Sequence, residues 1–275
     1  MSHNQHPEAI PFRLDGRTVF VAGGGSAGPG WSIGRAASVT YARQGAKVCV
    51  ADMDEASAQE TVRLIREEGG QAVALVGNAA DAADVDRLFS EARHSFGAID
   101  VLHYNVGIGK VGGPMETSVD DLARIHAANV GGLLLSTQAV LPEMKARQRG
   151  AIVAISSIAA HRYLGYPHLA YGVTKASVEQ FIRLVALEHA SCGIRANTVV
   201  PGLIDTPRIA KTVAAQYNPD DFDEARQARA RQVPNGRMGT AWDVAHACAF
   251  LVSDAASYIT GTELLVDGGI TGKYI

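Results

Sequence analysis

The sequence predicts a single α/β domain in which helices cover both faces of a doubly wound parallel β-sheet. Two observations support this prediction. First, short β-branched runs alternate with longer segments of helical period along the 275 residues, and such alternation implies parallel strands joined by right-handed crossovers. Second, no low-complexity linker or internal repeat interrupts the alternation, which favours one domain over two.

Seven short apolar runs are typical of buried strands, so we expect a sheet of about seven strands. In chain order, the predicted strands are Thr18–Ala22, Lys47–Ala51, Ala72–Val76, Val101–Tyr104, Ala151–Ser156, Arg195–Val200 and Glu263–Val266.

The segments between these runs have helical period. In VTKASVEQFIRLVALEHA, one face of the expected helix carries Val178, Phe181, Ile182, Val185 and His189. Glycines placed just before the next strand are predicted to end helices, and these are Gly45, Gly97, Gly150 and Gly193. The segment Leu203–Met238 is long, charged and mostly helical in composition, and we expect it to leave the sheet and form a lid.

Composition excludes several classes of function. A net charge of −3 gives no electrostatic footprint for nucleic acid or for an anionic membrane surface. No apolar run approaches the roughly 20 residues that a membrane span requires. The start, MSHNQHPEAIPFRLDG, lacks a signal-peptide pattern, so we expect residues 1–12 to form a flexible arm before a domain over residues 13–275. The cysteines are odd in number and far apart, which favours reduced thiols in the cytoplasm; they are Cys49, Cys192 and Cys248.

The stretch GGGSAGPGWSIGR, Gly23–Arg35, lies between the first predicted strand and a helical segment. Glycines at such a turn let backbone N–H groups approach phosphates, and the helix N-terminus adds partial positive charge. A glycine-rich turn alone is a weak signal, but Asp52 strengthens this one. It ends the second strand 18 residues after Gly34, near the spacing expected for an acidic residue that binds an adenosine ribose.

Asp52 also predicts the choice of cofactor. A carboxylate can accept hydrogen bonds from both ribose hydroxyls, whereas it repels a 2′-phosphate by about 1–4 kcal/mol at 4 Å. That corresponds to roughly one to three decades of preference for NAD over NADP. Arg35 and Arg43 could offset the effect, but both fall at helix positions where a solvated face is the simpler expectation.

The most specific motif is YGVTK, Tyr171–Lys175, which follows the ISS that ends the fifth strand. Side chains four residues apart share one face of a helix, so the phenol and the ammonium point the same way. A free tyrosine has a pKa near 10 and is a poor base at pH 7. A neighbouring cation and the positive nicotinamide ring together would favour the phenolate.

These motifs, taken together, resemble those of the short-chain dehydrogenase/reductase family over about Arg17–Gly269. The family has a glycine turn, an N-A-G after strand four, an asparagine in the next helix, a serine, a Y-x-x-x-K and a P-G after strand six. Here the corresponding stretches read GGGSAGPGWSIG, YNVG, AANV, ISSIA, YGVTK and VVPGLIDTP. The resemblance implies a Rossmann-type fold and an oxidoreductase that moves a hydride between NAD(H) and a secondary alcohol or ketone.

The resemblance also implies roles for four catalytic residues. Tyr171 would exchange a proton with the substrate oxygen, and Lys175 would bind the nicotinamide ribose and favour the ionised phenol. Ser157 would hydrogen-bond the same substrate oxygen, with Ser156 as the less favoured alternative. Asn129 would support a water that relays protons to Lys175; otherwise it is a helix-interior asparagine bonded to backbone.

Cofactor contacts follow from the same resemblance, with no metal implied. Gly23, Ser26 and Ile33 would line the phosphates, and the segment after strand six would hold the carboxamide. The full set is Gly23, Ser26, Ile33, Asp52, Met53, Asn78, Ala79, Asn105, Gly107, Tyr171, Lys175, Pro201, Gly202, Ile204 and Thr206.

The chain departs from the family pattern at several positions. About five extra residues within Ala27–Ser32 predict an outward bulge. It is either a tolerated surface insertion or a segment in which Trp31 packs over the cofactor or a neighbouring subunit. At four further positions the residue type changes. Ala22 replaces a threonine, Tyr104 an asparagine, Val106 an alanine, and Asn78 an aspartate whose adenine contact the amide oxygen could still make.

The pocket walls expected from the resemblance are Gly107–Glu116, Ile158–Ala170 and the lid. At most one or two of the loop residues His161, Arg162, Tyr163, Tyr166 and His168 are expected to touch substrate, and Arg162 could meet an acidic group. The resemblance further implies that DVAHACAFLVSDAASYITGTELLVDGG packs against another subunit, in a homotetramer or, as the second choice, a dimer. The alternative is that its helix only covers its own sheet. Two rival functions remain open: an NADPH-dependent ketoreductase such as a 3-oxoacyl reductase, and a non-catalytic NAD-binding scaffold.

Overall fold

The computed structural model describes residues 12–208 and 222–273. Its α/β domain contains a seven-stranded parallel sheet, as the alternating pattern predicts. The sheet strands are β1 (Thr18–Ala22), β2 (Lys47–Asp52), β3 (Gln71–Val76), β4 (Val101–Tyr104), β5 (Gly150–Ile155), β6 (Ile194–Pro201) and β9 (Glu263–Val266). Two shorter strands, β7 (Ile204–Asp205) and β8 (Gly239–Thr240), form a separate parallel pair.

Eight α-helices connect the strands in the described part of the chain. They are α1 (Ile33–Arg43), α2 (Glu55–Glu67), α3 (Ala82–Phe96), α4 (Val119–His126), α5 (Gly132–Ala146), α6 (Leu169–His189), α7 (Phe222–Ala230) and α8 (Ala241–Val252). A π-helical turn over Ala127–Gly131 separates α4 from α5. Among the described residues, no helix combines the length and apolar character needed to cross a membrane.

The strand order is β3-β2-β1-β4-β5-β6-β9, so the direction of winding reverses between β1 and β4. Val19 lies opposite Val48 on β2 and opposite Val101 on β4, which fixes the register on both sides of this reversal. In an open parallel sheet, ligands bind beyond the carboxyl ends of the strands at such a point. The topology therefore places the binding crevice beside the ends of β1 and β4.

Two apolar layers form the core, one on each face of the sheet. On one face, α1, α2 and α8 bury residues such as Val39, Ile65 and Val244. On the other, α3, α5 and α6 do the same, and the rings of Phe20 and Phe89 stack with centroids 4.0 Å apart. Burial on both faces explains why the strands are continuous apolar runs rather than alternating ones.

Side-chain caps determine where several helices begin. Ser32, Asp54, Asp81, Ser118 and Thr240 each accept a hydrogen bond from the backbone N–H three residues on. These oxygens satisfy N–H groups that have no partner within the helix.

The structure corrects one detail of the helix ends and limits another expectation. Gly45, Gly97 and Gly193 have positive φ at helix ends, as predicted, but Gly150 is the first residue of β5. The left-handed position after α5 is taken by Gln148, with φ of 52°. The expected arm over residues 1–12 lies outside the described residues except for Phe12, and the expected lid is described only at 203–208 and 222–238.

Candidate active site

A cavity of about 510 Å³ opens beside the carboxyl ends of β1, β4, β5 and β6. Of the catalytic residues predicted from sequence, Ser157, Tyr171 and Lys175 line it, whereas Asn129 does not. Every residue predicted to contact the cofactor also lines it: Gly23, Ser26, Ile33, Asp52, Met53, Asn78, Ala79, Asn105, Gly107, Tyr171, Lys175, Pro201, Gly202, Ile204 and Thr206.

The glycine turn packs directly against the start of α1. A Cβ at Gly34 would lie 1.9 Å from the carbonyl oxygen of Gly23, so no other residue fits there without moving the helix. Asn105, at the end of β4, donates from Nδ2 to the same carbonyl at 2.9 Å. This bond ties the turn to β4 in the place where Ala22 lacks the hydroxyl of the family pattern. The close approach leaves room for a phosphate at the helix N-terminus.

The lengthened part of the turn is held by its own hydrogen bonds. Ser57 on α2 accepts from the N–H of Ser26 at 2.5 Å and donates to its carbonyl oxygen at 2.9 Å. The hydroxyl of Ser32 donates to the carbonyl of Gly25 at 2.5 Å, and Arg35 donates to the carbonyl of Gly30 at 2.8 Å. The expectation that Arg35 lies on a solvated face is therefore wrong. Its side chain is buried, because it crosses under the bulge to reach Ser57.

Trp31 does not pack over the cavity. Its ring lies against Trp242 of α8, with centroids 4.6 Å apart, and both rings pack on the core beneath α1. Arg43 lies over the Trp242 ring, 4.9 Å from its centroid, and pairs with Glu68. The bulge thus points an aromatic side chain towards α8, because apolar surface is available there and not over the phosphates.

Asp52 lies at the tip of β2, on the cavity wall. Its carboxylate accepts from the N–H of Gly25 at 2.8 Å and from the N–H of Asp54 at 3.1 Å. Around this end of the cavity, the lining side chains include Met53, Asp54 and Asn78, and none of them is basic. The amide oxygen of Asn78 already accepts from the N–H of Ala80 at 2.9 Å, and its second lone pair leaves room for one more donor.

Tyr171 and Lys175 occupy the first turns of α6 and face the cavity together. The ammonium nitrogen of Lys175 lies 5.6 Å from the centroid of the Tyr171 ring and donates to the carbonyl of Ile155 at 2.7 Å. Burial, with a smaller effect from Arg208, lowers the pKa of Lys175 to about 7. The ring of His168 stacks on Tyr171 at 4.7 Å, and burial lowers the pKa of His168 to about 4, so this imidazole is neutral at pH 7.

The structure separates the two adjacent serines. Ser156 is buried and donates to the carboxyl of Glu179 at 2.6 Å, and burial raises the pKa of that carboxyl. Ser157 is half-buried on the cavity wall, and its oxygen accepts from the N–H of Ala159 at 3.2 Å. Of these two serines, only Ser157 has a hydroxyl proton that is donated to no described residue.

Asn129 is fully buried in the π-helical turn. Its amide exchanges two hydrogen bonds with the backbone of Ile108, at 2.8 and 2.9 Å, and donates to the hydroxyl of Thr174 at 2.9 Å. Tyr104 reaches the same turn, since its phenol donates to the carbonyl of Ala128 at 2.6 Å. Asn129 thus joins the loop after β4 to α6, the helix that carries Tyr171 and Lys175.

The remainder of the cavity is lined by apolar side chains and by the loop after β5. Ile158, Leu164 and Leu203 form the apolar part. Of the five loop residues considered from sequence, Tyr166 and His168 line the cavity, whereas His161, Arg162 and Tyr163 do not. Arg162 instead donates to the carbonyl of Ile270, so the expectation that it meets an acidic substrate group is not supported.

Comparisons with known proteins agree with this geometry. Residues 28–271 match the family model described as enoyl-(acyl carrier protein) reductase. A 3β-hydroxysteroid dehydrogenase from Eggerthella lenta is 37% identical over 262 residues, covering 94% of this chain and 95% of the relative. The chain belongs to the short-chain dehydrogenase/reductase family.

Solved structures of this family superimpose closely on the chain. A short-chain dehydrogenase/reductase from Burkholderia xenovorans has a TM-score of 0.90 at 36% identity, covering 96% of this chain and 99% of that one. A 7α-hydroxysteroid dehydrogenase, complexed with NADH and 7-oxo glycochenodeoxycholic acid, has a TM-score of 0.85 at 30% identity, covering 94% and 95%. A gluconate 5-dehydrogenase from Burkholderia cenocepacia, in complex with NADP and tartrate, has a TM-score of 0.84 at 29% identity, covering 95% and 98%.

Two arginines on the cavity wall of this short-chain dehydrogenase/reductase are not predicted by its sequence motifs. Arg208 directly follows VVPGLIDTP, and its guanidinium lies 5.6 Å from the Tyr171 ring centroid while donating to the carbonyl of Gly107 at 2.6 Å. Its position next to a binding motif was a signal that could have identified it. Arg229, on α7, has no such signal, because nothing nearby in sequence distinguishes it from its exposed neighbour Arg231.

Proposed function

We propose that the protein is an NAD-dependent oxidoreductase that transfers a hydride between NAD(H) and a secondary alcohol or its ketone. The observation that carries this proposal is the convergence of Ser157, Tyr171 and Lys175 on the cavity whose wall also contains the glycine turn and Asp52. The cradle between Gly23 and Gly34 suits a phosphate, and Asp52 suits a ribose. NAD, when bound, supplies the hydride acceptor for alcohol oxidation.

The side chains of the protein then handle the proton. Tyr171 takes the hydroxyl proton of the alcohol, and Ser157 donates a hydrogen bond to the substrate oxygen while charge develops there. Lys175 lies beside the phenol and, when charged, favours its ionised form. His168, neutral at pH 7, stacks on the Tyr171 ring and restricts its orientation.

Turnover by a Tyr171→Phe variant tests the proposal. We expect an NADH absorbance screen across secondary alcohols, diols, hydroxysteroids and sugar alcohols to find activity in the native protein. Tyr171→Phe removes only the proton-exchanging oxygen, so turnover should fall by at least about a hundredfold while NAD⁺ still binds. Tyr163→Phe is the matched control, because Tyr163 is 68% exposed and does not line the cavity. Silence of the native protein with both NAD⁺ and NADP⁺ would favour the scaffold alternative.

The preference for NAD rests on Asp52 and on the absence of a basic side chain among the described cavity residues around it. Asp52→Asn keeps an oxygen that can accept from Gly25 but removes the charge that repels a 2′-phosphate. We expect the ratio of kcat/KM with NAD⁺ to that with NADP⁺ to fall at least tenfold, about 1.4 kcal/mol. Asp86→Asn, at an exposed site on α3, should leave the ratio unchanged. A native enzyme that prefers NADP⁺ would instead support the ketoreductase alternative.

Three further properties belong to the same proposal. The segment 203–238 acts as a substrate lid, since its described residues Leu203, Arg208 and Arg229 line the cavity.

The chain forms a homotetramer, or else a dimer, and light scattering after gel filtration would test this. α8 covers its own sheet and so does not itself support an oligomer. The support comes from α6, where the apolar side chains of Leu184 and Leu187 are 57% and 69% exposed. The buried thiols of Cys49 and Cys248 suit the reducing cytoplasm.

A further inference from the structure

Arg229 carries a buried charge that has no partner among the described residues. The residue is only 7% exposed, yet among the described residues no carboxylate pairs with it and no oxygen accepts a hydrogen bond from its guanidinium. Its Nε is completely buried and unsatisfied. Buried charges in proteins are almost always paired, because leaving one unpaired costs several kcal/mol. A cavity-lining arginine in this state indicates that an anion completes the site.

The structure also places Arg229 at the substrate end of the cavity rather than at the phosphate end. It lies in the last turn of α7, four residues before Val233, which packs with Ile158 and Leu203. Ile158 directly follows Ser157. On the same helix, Arg226 pairs with Asp205 of β7 at 3.0 Å and so holds α7 against the segment after β6. Arg226 thus has a carboxylate partner, whereas Arg229 lines the cavity and pairs with no carboxylate in the described part of the chain.

The acidic and the basic side chains on the cavity wall lie at opposite ends of the cavity. The acidic lining residues are Asp52 and Asp54, both at the end of β2, where the ribose is expected. The other end contains Arg208, Arg229 and the apolar side chains Ile158 and Leu164, with no described carboxylate on the wall. We infer that the substrate is a secondary hydroxy acid or keto acid whose carboxylate pairs with Arg229 and whose apolar body contacts Ile158 and Leu164. The inference rests on the proposed function, since it names the substrate class of that site.

Binding of uncharged analogues tests this inference without turnover. The probes are three keto acids, levulinate, 4-oxocyclohexanecarboxylate and 4-acetylbenzoate, each compared with its carboxamide. Each probe is titrated calorimetrically into the complex of the protein with NAD⁺. Because NAD⁺ is the oxidised cofactor, it has no hydride to give to a ketone, and no turnover occurs. We expect at least one acid to bind the native complex tenfold or more tightly than its amide, and Arg229→Met to abolish that preference. Arg231→Met, a matched change at an exposed site two residues away, should keep it.

The same titrations identify the source of the anion. If Arg229 instead binds a cofactor phosphate, Arg229→Met will weaken NAD⁺ binding tenfold or more, and that result overturns the inference. Equal binding of all three acids and their amides to the native complex also overturns it. In the unliganded protein, Arg229→Met should melt at the native temperature or above, because an unpaired buried charge is replaced by an apolar side chain. A melting temperature several degrees lower would show that the guanidinium has a structural partner, contrary to the inference.

The two proposals fail in different ways. Tyr171→Phe should retain the preference for the acid even though its turnover is lost. A native protein that binds the acid through Arg229 but oxidises no alcohol would refute the proposed function and leave the anion site standing. A native protein that oxidises neutral secondary alcohols, with no effect of Arg229→Met on the kcat/KM of hydroxy acids relative to their methyl esters, would refute the substrate class alone.

Discussion

At the scale of single residues, Ser156 and Ser157 show how neighbours in sequence serve different purposes. Both residues follow the end of β5 and border the cavity, but their hydroxyls make different hydrogen bonds. The hydroxyl of Ser156 donates to the carboxyl of Glu179, whereas the hydroxyl of Ser157 donates to no described residue. The family resemblance already favoured Ser157, and the buried hydrogen bond of Ser156 gives that preference a physical reason.

Alanine at each serine should separate these roles. Ser157→Ala removes the donor to the substrate oxygen, and kcat should fall about a hundredfold or more with little change in melting temperature. Ser156→Ala removes the hydrogen bond to a buried carboxyl, so the free energy of unfolding should fall by about 1–3 kcal/mol. Kinetics and thermal unfolding of both variants check this. The assignment is wrong if Ser156→Ala loses activity at unchanged stability while Ser157→Ala stays active.

Which residues could be predicted from sequence depends on how far along the chain their partners lie. Tyr171, Lys175 and Asp52 could be predicted, because each stands at a fixed spacing from a motif or a strand end. Arg35 could not, because its burial depends on Ser57 and on Thr61 of α2, and that helix packs on α1 only once the sheet has formed. Arg229 could not for the same reason, since its significance depends on having no partner within residues 12–208 and 222–273 of the folded chain.

At the scale of elements, the contact between the glycine turn and α1 controls the phosphate end of the site. The carbonyl of Gly23 lies where a side chain at Gly34 would begin, and the amide of Asn105 lies 2.7 Å from the same point. Position 34 therefore requires glycine because of close approach, whereas its backbone angles are those of an ordinary helix. The turn and the helix N-terminus form one unit.

Gly34→Ala should displace α1 from the turn. The added methyl group cannot avoid the backbone oxygen of Gly23, so the helix N-terminus and its N–H groups must move, and we expect NAD⁺ affinity to fall at least tenfold. Gly28→Ala is the matched control within the same turn. Its Cβ would meet only Pro207, at an ordinary 3.4 Å, and NAD⁺ affinity should be unchanged. Calorimetric titration with NAD⁺ compares the two, and equal losses would mean that the turn tolerates no substitution at all.

The order and type of the strands and helices follow from the hydrophobic period, because each strand is apolar on both faces and each helix on one. The residues at which the strands and helices begin and end were less predictable. Gly150 looked like a helix-terminating glycine, but the chain turns two residues earlier at Gln148, and Gly150 instead lies under the sulfur of Met144. The π-helical turn at Ala127–Gly131 also leaves no periodic signal, since it depends on Tyr104 reaching the carbonyl of Ala128.

At the scale of the whole molecule, a buried histidine lies in the apolar layer beneath α1 and α8. His103 lies in the middle of β4, fully buried, and its Nδ1 is 2.6 Å from the phenol oxygen of Tyr41. Its Nε2 has no partner among the described residues, and burial lowers the pKa of His103 to about 3. Tyr41 is the titratable group in contact with it, Cys248 interacts in turn with Tyr41, and burial raises the pKa of both. The core therefore keeps this imidazole neutral.

This histidine should make the fold sensitive to acid. Its folded pKa lies below the unfolded value near 6.5, so the unfolded chain binds the proton more readily, and stability present above about pH 6.5 is lost as the pH falls towards 3. Between pH 7 and pH 5, the free energy of unfolding should drop by about 2 kcal/mol more in the native protein than in His103→Gln. Denaturant unfolding at both values measures it. The exposed His94→Gln should behave like the native protein, and an identical drop in His103→Gln would contradict the argument.

The lengthened loop at the start of α1 has a consequence for the energetics of ligand capture. Ser26, Ser32 and Arg35 fasten it to α2 and to its own backbone before any dinucleotide arrives. The conformational entropy of a dozen residues is thus lost during folding, and little of it remains to be lost on association. The insertion has the sequence of a flexible loop, but in the folded chain it is preorganised to bind a charged ligand.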